Sequence, residues 1–108
     1  MTARTQQLLD LLPDEATRAR VLAIFAGPGA LYGPSLPAVL ERVRFAVIRL
    51  ALDGPVALEA AATLYRTDAR DLLMAAGFGE SLDAHDKWCA SVLPAGAEPG
   101  PADVGPGC

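Results

Sequence analysis

At 108 residues the chain is sized for one domain, and 52% hydrophobic against 20% charged residues is the balance of a folded core. A net charge of −4 with no basic run argues against nonspecific nucleic-acid binding, where phosphate neutralisation dominates affinity. Glu41, Arg42, Arg44 and Arg49 interrupt the longest apolar stretch, so none reaches the ~20 residues of a bilayer crossing, and MTARTQQLLDLL lacks a signal-peptide pattern.

Much of the apolar total is Ala and Leu, which favours helix over strand. The expected fold is all-α, a small bundle of five or six short helices around a central helix over 36–52. Residues 1–93 form the helical domain, and 94–108 a flexible or extended Pro/Gly tail.

In chain order, residues 3–12 (ARTQQLLDLL) read as a short helix ended by Pro13, since proline inside a helix loses a hydrogen bond and clashes with the turn before it. Pro13 also suits the start of a second helix running to Ala26, with Asp14 and Glu15 in its first turn where negative charge is favoured. Ala16, Ala19, Val21, Leu22, Ala23, Ile24 and Phe25 are expected to supply its buried side, Arg18 and Arg20 its wet side. Residues 27–34 (GPGALYGP) break the pattern. Leu31 and Tyr32 are large for an exposed loop and are expected to fold back. A phosphate-binding loop needs Lys and Ser/Thr after its last glycine, whereas Pro34-Ser35-Leu36 follows here.

Ser35 is the expected N-cap of the central helix, SLPAVLERVRFAVIRLALD. At about 100° per residue, Leu36, Val39, Leu40, Val43, Ala46, Val47, Leu50 and Ala51 form a broad apolar arc. Phe45, Ile48 and Leu52 form a second, narrower stripe nearly opposite. A surface helix needs one stripe, so two predict a helix packed on both sides, as a bundle hub or an oligomer interface. Asp53-Gly54-Pro55 ends it. Helix 55–66 then offers Ala57, Ala60, Ala61 and Leu64, flanked by Leu58 and Tyr65, for close packing against the hub. Its Glu59, Thr63 and Arg66 point outward. Asp68 caps helix 68–76, and Gly77 supplies its left-handed C-cap with Phe78 packing over the end. Ser81 caps a last helix from 82 to about 93, where Leu82, His85, Trp88, Cys89, Val92 and Leu93 share a face.

The segment Thr67-Asp68-Ala69-Arg70-Asp71-Leu72-Leu73-Met74-Ala75-Ala76-Gly77-Phe78, followed by Ala84-His85 and Trp88, resembles a phrase found in small uncharacterised bacterial all-helical proteins. Upstream, Arg42-Val43-Arg44-Phe45-Ala46-Val47-Ile48-Arg49-Leu50 is similar to the helix that precedes it in them. The resemblance implies a bacterial, soluble, all-helical protein, and it implies no activity, cofactor or catalytic residue.

Few residues suggest chemistry. His85 and Cys89, one helical turn apart beside Trp88, suit half a metal site, or a thiol with its base, or core packing. A metal wants three or four protein ligands, and the chain has one histidine and only one other cysteine, Cys108. Because Cys89 lies in a helix and Cys108 ends the tail, no structural disulfide is expected, and a reducing cytoplasm fits. Asp68, Arg70 and Asp71 read as cap and surface charge rather than paired acid–base carboxylates. Helices 55–76 mimic a helix-turn-helix, but carboxylates would lead its recognition helix into the DNA. Arg42 and Arg49, two turns apart, either clamp an anionic ligand or acidic partner, or pair internally with Glu41, Asp53 or Glu59.

These features point to a non-enzymatic interaction module, a homodimer or accessory subunit without a cofactor. Its partner, itself or another protein, is expected to cover Phe45, Ile48 and Leu52, with Arg42 and Arg49 beside them. The alternative is a small-ligand or metal-binding protein with a pocket lined by His85, Trp88 and Cys89. The prolines of the tail would suit a short docking peptide.

Overall fold

A computed structural model describes residues 2–27, 37–79, 81 and 83–93. The expectations for the 28–36 loop, Ser35, Leu82 and the 94–108 tail lie outside the described residues. The described residues form six helices and no strand: Ala3–Leu9 (α1), Glu15–Ala26 (α2), Pro37–Leu52 (α3), Pro55–Thr67 (α4), Ala69–Ala75 (α5) and Ala84–Val92 (α6). No helix among them is long and apolar enough to cross a membrane.

The all-α bundle and its central helix are as expected. Every other helix packs against α3, which runs through the middle of the core. Both stripes account for this. The broad arc buries Val43, Ala46, Val47, Leu50 and Ala51, and the narrow one buries Phe45 and Ile48. The Arg20–Glu59 pair, the Phe25–Tyr65 ring contact and the Gly27–Arg66 proximity show α2 and α4 running in the same direction side by side.

Local chemistry sets the helix ends. Thr2 caps α1, its hydroxyl accepting from Thr5 N. The helix stops at Leu9, short of the expected Leu12, because Leu11 and Leu12 turn back to bond the carbonyls of Leu8 and Leu9 in a tighter geometry. Asp14, expected inside the first turn of α2, is instead its N-cap, accepting from Thr17 N at 2.7 Å. This bond holds the Asp14 carboxyl below its ordinary pKa.

Gly54 (φ 123°) separates α3 from α4 in a conformation L side chains rarely adopt, and Pro55 opens α4. Asp68 caps α5, accepting from Asp71 N. At its far end Gly77 (φ 81°) donates to Met74 O and Phe78 to Leu73 O, the double bond of a Schellman closure. That closure turns Phe78 into the core, where it is buried. Asp83 stands at the N-cap of α6 without a side-chain cap bond; Ser81, the expected cap, donates its hydroxyl to Asp83 Oδ1.

Two burial patterns differ from expectation. In α2 only Val21 and Ile24 are buried and Phe25 half-buried, while Ala16, Ala19, Leu22 and Ala23 face solvent. Its polar residues, Glu15, Thr17, Arg18 and Arg20, are spread round the helix, so periodicity does not fix its inner face. In α4 the buried set is Leu58, Ala61, Ala62 and Tyr65, and Ala60 faces out.

Candidate functional site

The densest gathering of chemistry-bearing side chains lies where α6 meets α3, α1 and the turn after α5. His85 and Cys89 project from α6 into the core, one turn apart, with Trp88 half-buried between them. The imidazole meets the Phe45 ring edge-on at 5.6 Å between centroids and the Phe78 ring at 6.4 Å. Trp88 lies 6.2 Å from Phe45 and 5.6 Å from Phe78. The rings of Phe45, Phe78 and Trp88 thus form one cluster with the imidazole. Tilted and edge-on contacts of this kind add to what area burial alone supplies.

Charge surrounds the rings. Arg4 of α1 donates from Nη1 to Asp86 Oδ1 at 2.9 Å and from Nη2 to Glu41, with its guanidinium over the Phe45 ring. Thr2 adds a hydroxyl bond to Glu41 at 2.6 Å. Arg49 stacks over Phe78 and Trp88, at 6.0 and 5.8 Å. Arg42 donates from Nη2 to the carbonyls of Phe78 and Ser81, tying the α5–α6 connection to α3. Internal engagement of both arginines is the observed alternative, but through carbonyls and rings rather than Glu41, Asp53 or Glu59.

Two of those carboxylates have other partners: Glu41 accepts from Arg4, and Glu59 accepts from Nε and Nη2 of Arg20, each at 2.7 Å. No residue pattern flagged Arg4, which organises the site. Its signal was one cation in the first turn of a Leu-rich helix.

His85 is 6% exposed, and its Nδ1 has no hydrogen-bond partner among the described residues. Its Nε2 lies 3.5 Å from Asp86 Oδ1. Burial holds the imidazole below its ordinary pKa of 6.5; Asp86 and Glu41 oppose that shift, and Arg4 and Arg42 reinforce it. Burial therefore favours the uncharged ring.

The expected partner interface needs correction. Phe45 and Ile48 have no exposed surface within the single chain, because α3 is covered on both sides by its own neighbours. Neither offers anything to a partner. Leu52 is 40% exposed at the end of α3.

The cysteine expectation is also corrected: Cys89 is disulfide-bonded, and there is no free thiol among the described residues. Placement in a helix is no bar to bridging, since a helical Cβ projects its sulfur as freely as any other. The chain has one other cysteine, Cys108, outside the described residues. A sulfur held in a disulfide is neither nucleophile nor ordinary metal ligand, and disulfides persist in oxidising surroundings rather than a reducing cytoplasm. Denatured protein is expected to take up no iodoacetamide before reduction and two equivalents after it. Alkylation of the unreduced chain would count against the bridge.

Among the described residues no three His, Cys, Asp or Glu side chains are grouped to hold a metal ion. A small open cleft lies elsewhere, between α2 and α4, lined by Arg20, Ala23, Ile24, Gly27, Ala62 and Arg66. The Asp68 and Asp71 carboxylates are exposed at the start of α5, and Asp68 serves as its cap. No family model, curated protein or solved structure matches the chain.

Proposed function

We propose that the chain is a non-enzymatic helical interaction module that pairs with a second copy of itself through the outer face of α2. One observation carries this reading. Ala16, Ala19, Leu22, Ala23 and Ala26 recur at helical spacing on the solvent side of α2, interrupted only by Glu15. The opposite side of the same helix is already packed through Val21 and Ile24.

A helix with a satisfied inner face and an apolar outer face has the character foreseen for the central helix, transferred to its neighbour. Alanines let a second backbone approach closely, and Leu22 supplies a knob for it. The shared direction of α2 and α4 brings Val56, one turn before Glu59 and 85% exposed, level with the first turn of α2. Val56 thus adds an exposed apolar side chain at that level.

Sedimentation equilibrium tests the reading. The expected mass is near twice the 11.2 kDa of one chain, falling to a single chain when Ala19→Glu and Leu22→Glu are combined, with the helical circular dichroism unchanged. A wild-type chain that stays monomeric at millimolar concentration overturns it. So does an assembly that survives both substitutions.

A further inference from the structure

The attachment of α6 is unlike that of the other helices. Its main helical neighbour is α3. Among the described residues it is also held by the Arg4–Asp86 pair from α1 and by ring contacts to Phe78, and its Cys89 carries a disulfide. It follows a connection that contains Gly77, in the left-handed region, and Gly79. Its N-terminus has no side-chain cap bond. Few contacts around a short helix make for a unit that opens by itself at lower cost than the whole fold.

At the centre of its buried face stands His85, the only histidine in the chain. Among the described residues, groups from several packed elements face the ring. From α1 comes Arg4, and from α3 come Glu41, Arg42 and the ring of Phe45. The turn after α5 contributes Phe78, and α6 itself contributes Asp86. Among the described residues Asp86 is the carboxylate nearest the imidazole, and its Oδ1 already accepts from Arg4. Two of the facing charged groups are guanidiniums, and the faces of the pocket are aromatic. An imidazolium there loses its water, and the carboxylate nearest to it, Asp86, is shared with Arg4. Undocked, the same cation is solvated.

We propose that α6 is a proton-released cover: protonation of His85 undocks Ala84–Val92 from α3 and bares the faces of Phe45 and Phe78. Proton linkage sets the size of the response. The docked-to-undocked ratio falls by up to tenfold per pH unit, because one proton separates the two states. The proposal is independent of pairing through α2, whose outer face lies on a different helix.

The full-length wild-type chain carries its own probes, since Trp88 is the sole tryptophan and His85 the sole histidine. As pH falls from about 8 to about 5, three changes are expected to share one midpoint below the ordinary histidine value. Trp88 emission shifts to the red, the amides of Ala84–Val92 lose exchange protection, and the His85 Cε1–H resonance titrates. The amides of α3 and α4 keep their protection throughout. His85→Phe, which keeps a ring in the box, is expected to remove the step.

An α6 that stays protected to the lower limit overturns the proposal, as does loss of protection in α3, α4 and α6 together. Persistence of the step in H85F overturns it too. Should that variant not fold, the wild-type titration decides alone: a His85 midpoint that differs from that of α6 opening is equally fatal.

Discussion

Phe45→Ala is expected to cost about 3–5 kcal/mol, a large share of the roughly 5–15 kcal/mol that holds a domain together. The substitution removes a ring with no solvent exposure and withdraws it from His85, Trp88 and the Arg4 guanidinium at once. The cavity left behind is bordered by α1, α3 and α6, and the packed rings of His85 and Trp88 with the Arg4 guanidinium leave little room for collapse. Denaturant unfolding with an unchanged m-value would measure the loss directly. Leu52→Ala, on the same sequence stripe but 40% exposed, is expected to cost under about 1 kcal/mol. Equal costs at the two positions would mean that Phe45 is not core, and that the narrow stripe of α3 faces outward after all.

The second large effect is expected from Arg42→Met. Methionine keeps most of the aliphatic stem, so the change isolates the guanidinium. Its Nη2 binds two carbonyls, Phe78 O and Ser81 O, on either side of the connection that leads into α6. Hydrogen bonds from a charged donor contribute about 1.5–3 kcal/mol, and their loss here strips two acceptors of a partner at once. The damage is expected to be local. Exchange protection in α6 falls further than in α4, and Trp88 emission shifts red at neutral pH. A uniform loss across all helices would show that the arginine supports the core as a whole rather than this connection.

How much of this was legible in the sequence varied with the range of the interaction. The caps at Asp68 and Gly77 were legible because their chemistry is complete within four or five residues. The central place of α3 was legible because two apolar stripes on one helix require two coverings. Whose coverings they were was not legible. Periodicity shows that Phe45 is buried and cannot tell an intramolecular neighbour from a second protein. In α2 the pattern carried no direction, since alanines on one side and Val21 and Ile24 on the other look alike to a helical wheel.

The acceptors of Arg42 lie 36 and 39 residues away and are backbone carbonyls, which no side-chain pairing rule would nominate. The disulfide state of Cys89 was missed for a different reason. Bridging depends on the reach of the sulfur, which a residue's place in a helix does not report.

Arg4 joins partners at unequal distances along the chain: Glu41 lies 37 residues away and Asp86 lies 82. Closing the larger ring costs about 0.6 kcal/mol more in chain entropy, since its length is slightly more than doubled. On chain entropy alone the near carboxylate is favoured about threefold over the far one, so the contact that fastens the final helix carries the larger closure cost.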